Sequence, residues 1–510
     1  MKDQFLELNS VNLKPVDKPL KVLLLGDDEH PANTVIDYIQ SFVKHSSHDI
    51  KLINPINSGC PKNLSTKEFD AIIIHYSICI TEPYFLSANW VKGIAHFNGV
   101  KAQIIQDEYR WINKMKTQMR CLGIQTIFSS LTPKNAAQVY NGDFMSDAKV
   151  ISCLPGYFSE RLLSLPYRPL QQREYDVIYR GRDLPWSTGE LGASKRRIGQ
   201  NFIAWNESHE LRTDIETRES SRIYGDDWDR FLMNGKSMIG VEGGASIFDF
   251  DGTLKDSLDL FESENPESDL SKYWEEHLKP IDGNLVHRTI TPKIFEAIAA
   301  RTALILVPGE YRGILEPNRH YIPFMEDGSN FNEIVRKIKD YDFLEDIVER
   351  TFNEITSRDE LTYKFFINKF DQILSFLEKN PVEENVEKYF REKVTIQNLQ
   401  LEIASKQIMN LNEDIKLLGH QLKSVSQREE MLKNQRTQSK NERTQLENER
   451  TQLENERTQL ETLLKNERTK SKNLQQQIQL LRNPLRLGLF WISMAGTKII
   501  KKLRLLTRPR

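Results

Sequence analysis

Short runs of consecutive apolar residues, each closed by glycine, serine or an acid, recur along the first third of the chain. They are KVLLLGDD (21–28), IKLIN (50–54), FDAIIIHYS (69–77), KAQIIQDEY (101–109), IQTIFSS (124–130) and DAKVISCLP (147–155). Runs of this length bounded by turn residues predict buried parallel strands, because a strand covered on both faces has no polar side to show. Helix-length mixed segments such as Thr34 to His45 and Pro133 to Tyr140 separate most of them. The alternation predicts a βαβ domain over 19–170, after a polar lead-in over 1–18. Leu154 to Gln172, rich in Pro and Leu, reads as a crossing linker.

The pattern then restarts. REYDVIYRGR (173–182), KSMIGVEGG (236–244) and TALILVPGEY (302–311) are strands, with PKIFEAIAA (292–300) as a helix before the last. Pro292 suits the first helical turn and Thr291 the N-cap. Asp249 to Pro280 is acidic and aperiodic, which predicts a surface excursion. Helices from Asn330 to about Asn380 are expected to close this second unit, 171–380. The fold class is thus α/β, two Rossmann-like domains in tandem.

The periodicity changes again near Val382. ENERTQL repeats every seven residues, placing Leu446, Leu453 and Leu460 one heptad apart with Leu474 and Leu481 in phase. A sustained seven-residue period predicts a left-handed coiled coil over 381–482, and self-association through it. Arg443, Arg450 and Arg457 fill the companion core position, which predicts a weak, wet seam. From 483 to 510 an apolar stripe (Leu485, Leu489, Ile492, Ile499, Leu503, Leu506) carries Phe490 and Trp491 at its edge. Eight Lys or Arg and no acid accompany it from Arg482 onward. That is the composition of an amphipathic helix lying on an anionic membrane surface.

Composition adds bounds. At 510 residues the chain exceeds one core, and the formal net charge of −2 hides opposite local extremes. Nucleic acid is not expected as a partner. Cys60, Cys79, Cys121 and Cys153 show no short spacing, so neither a zinc knuckle nor a disulfide framework is predicted. The polar N-terminus has no signal-peptide core and no stretch reaches a membrane span's length, which predicts a cytoplasmic chain held peripherally at the inner membrane face.

Chemistry concentrates in TPKIFEAIAARTALILVPGEYRGILEPNRHYIPF (291–324). Glu296, near a helix start, can accept two hydrogen bonds from a ribose diol, and Lys293 with the helix N-terminus suits a diphosphate. The loop from Gly309 to Gly313 lets backbone N–H groups approach phosphate, with Arg312 beside it. Arg180 and Arg182 close the unit's first strand, where one of them can clamp a phosphate. Glu242 and Ser246, in GVEGGAS (240–246), are expected to face the cleft. This run resembles the donor-binding half of GT-B glycosyltransferases of the bacterial family 1 type, the spore-protein-like glycosyl transferase domain included. The resemblance covers roughly 171–375. It implies a nucleotide-sugar donor, transfer to an acceptor hydroxyl, and no metal or other cofactor. The family's retaining members often carry Glu eight positions before the ribose Glu; Arg288 stands there, which leaves stereochemistry open.

In the first unit His75, Asp107 and Glu108 end strands that point at the expected cleft, where a general base would deprotonate the acceptor. The candidate catalytic residues are therefore His75, Asp107 and Glu242. A glycan or lipid-linked acceptor, in surface polysaccharide or glycoconjugate synthesis, follows from the basic tail. Two other readings stand beside this one. A degenerate transferase fold organised by its coiled coil would be a scaffold. IFDFDGTLKDS (247–257) is close to the phosphatase signature of the haloacid dehalogenase family, with Asp249 as nucleophile and Asp251 as acid/base; no later strand, however, ends in that family's acidic pair.

Overall fold

A computed structural model describes residues 4–61, 64, 68–141, 148–265, 270–379, 418 and 443–481. The chain divides into a unit spanning Met1–Glu383 and a second spanning Glu384–Arg510. The first contains two parallel sheets.

The N-terminal sheet has seven strands: β1 (Phe5–Glu7), β2 (Lys21–Leu25), β3 (Asp49–Ile53), β4 (Ala71–Ile74), β5 (Val100–Ile105), β6 (Thr126–Ser129) and β7 (Lys149–Ser152). Their order is β1-β7-β6-β5-β4-β2-β3, parallel throughout. All six apolar runs became strands. The polar lead-in supplies a seventh, with Leu6 registered on Ile151. Only three residues long, β1 falls below what a hydrophobic run can signal. Helices α1 (Asn33–His45), α2 (Ala88–Ala95), α3 (Ile112–Leu122) and α4 (Pro133–Val139) are the crossovers. The order reverses between β2 and β4, so the switch point at this sheet's carboxyl edge lies at Leu25 and His75.

After a short helix, α5 (Glu160–Leu163), the second sheet holds β8 (Tyr175–Arg180), β9 (Thr213–Glu216), β10 (Gly235–Gly240), β13 (Ala303–Leu306) and β14 (Ile322–Pro323). Its order is β14-β13-β10-β8-β9, again parallel, and it reverses between β8 and β10. A separate hairpin pairs β11 (Gly243–Ala245) with β12 (His287–Thr289). Helices α6 (Gly189–Asn206), α7 (Gly225–Asn234), α10 (Pro292–Ala299), α11 (Phe331–Lys339) and α12 (Tyr341–Thr356) cover this sheet.

Two parts depart from the sequence reading. The acidic segment folds: α8 (Thr253–Glu264) and a helical turn α9 (Ser271–Tyr273) close a small apolar cluster of Ile247, Leu258, Tyr273, Trp274 and Leu278. Helix α13 (Tyr363–Lys379) does not close the 171–380 half. It packs on the first sheet, where Phe366 and Phe370 meet Tyr38, Phe42 and Phe128. Thr291 occupies the N-cap of α10, but its side chain makes no capping hydrogen bond.

In the second unit, residues 443–481 form one helix, α14 (Arg443–Leu481), about 58 Å long at 1.5 Å per residue. The heptad leucines Leu453, Leu460 and Leu474 lie among its less exposed positions, and Ser471 is buried. Most of the expected coiled coil and all of the basic tail (483–510) lie outside the described residues. Among the described residues no helix is long and apolar enough to cross a membrane.

Candidate functional site

The carboxyl edge of β8 and β10 is built around charge. Arg180, at the end of β8, is committed to protein partners: its Nε donates to the Ser221 carbonyl at 3.1 Å, and Nη2 meets Asp214 at 2.8 Å. Its guanidinium lies 4.3 Å from the Phe231 ring centroid. Arg180 therefore fixes the site's wall rather than offering a free donor. Arg182 is exposed, with Glu219 only at 3.9 Å, and keeps its donors for solvent or ligand.

Helix α10 brings Lys293 and Glu296 to the same place. The Lys293 ammonium donates to the Arg180 carbonyl and lies 5.8 Å from the Trp228 ring centroid. Burial, reinforced by Lys195, pulls its pKa down to about 8. Glu296, one turn on, is buried; its Oε2 accepts from the Trp228 indole at 2.8 Å. Desolvation raises this carboxyl to about 7, while the indole bond and Lys293 pull the other way.

Lys195, on the second turn of α6, was missed by the sequence reading. Among the described residues no hydrogen bond or ion pair takes up its ammonium. Burial depresses its pKa, Asp107 raises it and Arg182 lowers it. A lysine in the run SKRRIG carries no sequence signal; only the turn of α6 against Tyr179, whose hydroxyl donates to the Lys195 carbonyl at 2.8 Å, aims it inward. Lys195, Lys293 and Arg182 thus form a cationic cluster at the edge of the sheet, beside a buried carboxyl.

The other candidates from this unit build the surrounding frame. Glu242 is buried; its Oε1 accepts from the Tyr311 backbone N–H at 2.8 Å and Oε2 lies 3.6 Å from Arg288. Gly309 is packed against that carboxylate, so a Cβ there would sit 2.6 Å from Oε2. Tyr311 and Arg312 then adopt left-handed backbones with φ of 41° and 56°, a strained conformation for side chains with a Cβ. Arg312 turns to the first sheet, donating to Ser152 Oγ at 2.7 Å, and Gly313 ends the turn with φ 70°. The loop from Gly309 to Gly313 is thus bound to Glu242 and Ser152. Ser246 accepts from the Leu191 N–H at 3.1 Å and donates to Asp282 at 2.7 Å, which seals the start of α6.

On the first sheet's side, Asp107 is an exposed carboxylate whose charge is felt by Lys195. Tyr109 shares a hydrogen bond with it, and the Tyr76 ring responds to both Asp107 and Glu296. His75 is fully buried: Nδ1 accepts from the Ser77 N–H at 3.2 Å, and desolvation drives its pKa down to about 3. At neutral pH it is an uncharged and weak base. Glu108 turns inward to Ser129 and Tyr140, and burial raises it to about 8.

The DFDG motif has a structural role. Asp249 accepts from the Gly252 N–H at 2.9 Å, which closes the turn before α8, and from the Lys255 N–H at 3.1 Å, which caps the helix's first turn. Its backbone pairs with Arg110, which follows β5 of the first sheet. Among the described residues the strand that precedes it is β11, held in a two-stranded antiparallel hairpin and not in a phosphatase-like sheet, which goes against the nucleophile reading. Among the described residues no cluster of His, Cys, Asp or Glu is arranged to hold a metal ion.

The sequence matches no protein-family model and no curated protein. Among solved structures, it is similar to an alpha-glucosyltransferase in complex with UDP and a 13-mer DNA (10% identity, TM-score 0.41, covering 70% of this chain and 100% of that one). A glycosyltransferase involved in avilamycin A biosynthesis gives 12% identity and TM-score 0.35, covering 70% of this chain and 99% of that one. An alpha1,3-fucosyltransferase gives 13% identity and TM-score 0.31, covering 74% and 96%.

Proposed function

We propose that the protein is a glycosyltransferase that takes a sugar from a nucleotide donor bound at the β8–β10 edge and passes it to an acceptor hydroxyl in the cleft. The observation that carries this reading is the cluster of Lys195, Lys293 and Arg182 beside the buried Glu296, faced by Asp107. A nucleotide diphosphate carries the negative charge these cations lack. A ribose diol supplies the donors a carboxylate accepts. As the glycosidic bond to the diphosphate breaks, charge grows on the leaving oxygen, and cations already in place stabilise it without reorganising.

Asp107 is the carboxylate we assign as general base. It is exposed, it is opposed by Lys195, and it belongs to the sheet that would present the acceptor. His75 and Glu242 are assigned positioning roles, one beneath the cleft floor and the other holding the loop from Gly309 to Gly313. A glycan or lipid-linked acceptor, self-association through the heptads and attachment of the basic tail to an anionic membrane are proposals resting on the sequence from 381 onward.

Isothermal titration of the full chain against UDP-, GDP-, dTDP- and CMP-sugars tests the reading, with Glu296→Ala alongside. One nucleotide class should bind and be lost in the variant. No binding by a folded, monodisperse protein would refute the transferase and favour the scaffold.

A further inference from the structure

Glu296 has an unusual companion. Oε2 accepts from the Trp228 indole N–H at 2.8 Å, whereas no hydrogen bond among the described residues reaches Oε1. The indole is itself immobilised. It stacks on Phe231, with centroids 5.5 Å apart and planes 26° apart, and Phe231 lies under the Arg180 guanidinium. Arg180 is pinned in turn by Asp214 and the Ser221 carbonyl. Trp228 is buried, and its only polar atom points at the carboxylate. Indole donates and cannot accept, so this contact favours the ionised carboxylate over the neutral acid.

We propose that Trp228 is a positioning residue for Glu296: its N–H fixes one carboxylate oxygen and aims the other at the ribose diol of the donor. The proposal rests on the donor site assigned above. The groups that face Glu296 set the direction of its pH dependence. Lys293 on α10 and Arg161 on α5 favour the anion, and Asp229 on α7 opposes it. Tyr76 and Tyr363, whose rings also sense Glu296, are held neutral by burial. Burial dominates, and the carboxyl titrates at about 7. Loss of the indole bond therefore moves this titration upward, and the carboxylate forms only in more alkaline solution.

The contact with the diol can be isolated from phosphate ionisation by comparing a nucleoside diphosphate with its 2′-deoxy counterpart. The ratio of their dissociation constants cancels the phosphate and Lys293 contributions common to both. In the wild-type full chain, titrated with uridine or guanosine diphosphate and the matching deoxy compound, the preference for ribose should rise with pH around 7. In Trp228→Phe, which keeps the stack on Phe231, that midpoint should move up by about one pH unit, and the preference at pH 7 should fall several-fold. In Glu296→Gln the ratio should be flat with pH. A second measurement does not depend on the Trp228 variant folding. Tryptophan fluorescence of the unliganded wild type should titrate near pH 7, and this step should vanish in Glu296→Gln. A Trp228→Phe curve superimposable on the wild type overturns the positioning role while leaving the donor site standing. Absence of any nucleotide binding by the wild type overturns both.

Discussion

Replacing Lys195 with methionine should move ligand affinity and apo stability in opposite directions. The side chain keeps its length and apolar stem, and only the ammonium is lost. That ammonium has no hydrogen bond or ion pair among the described residues, and burial depresses its pKa. Arg182 and Lys293 repel it, leaving Asp107 as the opposing charge. Removing it should leave the unliganded fold as stable as before, or more stable by up to about 1 kcal/mol. The sign follows from linkage: the folded-state pKa is below the unfolded one, so the charged lysine penalises the fold at neutral pH. The penalty fades as pH rises from the depressed value towards about 10.4. The gain in the variant should shrink over the same window. For a bound diphosphate the lost charged hydrogen bond is worth about 1.5–3 kcal/mol, or about 10- to 150-fold in Kd. Isothermal titration with the nucleotide sugar that the wild type binds, together with a melting curve of the free protein, measures both. Affinity within twofold of wild type, or a melting temperature lower by several degrees, would refute a phosphate-binding Lys195 and make it a structural cation.

Other substitutions test the frame. Arg173 is buried and donates to the carbonyls of Arg168, Gly235 and Ala300 and to Thr302 Oγ1, each at 2.9 Å. Arg173→Met should cost about 3–5 kcal/mol in urea unfolding by stranding those acceptors. Glu108 is raised from 4.5 to about 8, so the native state binds more protons than the unfolded chain between those values and stability falls as pH rises through them. Glu108→Gln should remove that slope, with its advantage largest above pH 8 and absent below about 4.5. Asp249→Ala should lower the melting temperature through loss of the α8 cap, at about 1 kcal/mol, while p-nitrophenyl phosphate is turned over by neither protein.

Both sheets were legible because buried parallel strands carry their signal locally. Ile72, Ile73 and Ile74 need no distant partner to declare a strand, and all are fully buried. β1 and β9 were not legible: a strand of three residues, or of four that are mostly polar, is defined by the neighbour it pairs with, such as Val150 for Phe5 and Ile178 for Asp214. At the site, Glu296 and Lys293 could be placed because a helix start fixes their spacing. Which partners they would find could not, since Trp228 lies 68 residues from Glu296 in sequence. Arg180 and Arg312 show the same limit. An arginine near an expected phosphate site looks free in sequence, whereas one binds Asp214 and the other Ser152. DFDG misleads for a related reason: an aspartate ahead of a glycine serves a helix cap as readily as it serves catalysis.

The return of α13 to the first sheet changes how the chain can be cut and moved. Phe158 N–H donates to the Leu361 carbonyl at 2.8 Å, and Tyr363 N–H to the Phe158 carbonyl at 3.0 Å. The segment leaving the first sheet and the segment coming back therefore meet side by side at a single bridge. Residues 159–361 are, topologically, an insertion into a host domain that is finished only by the helix after it. A two-ply connection resists splaying more than a single linker would, so relative motion of the two halves should be a twist about that paired segment. A truncation before Tyr363 would spare the half that holds β8–β14 and uncover the aromatic face of Tyr38, Phe42 and Phe128 on the other.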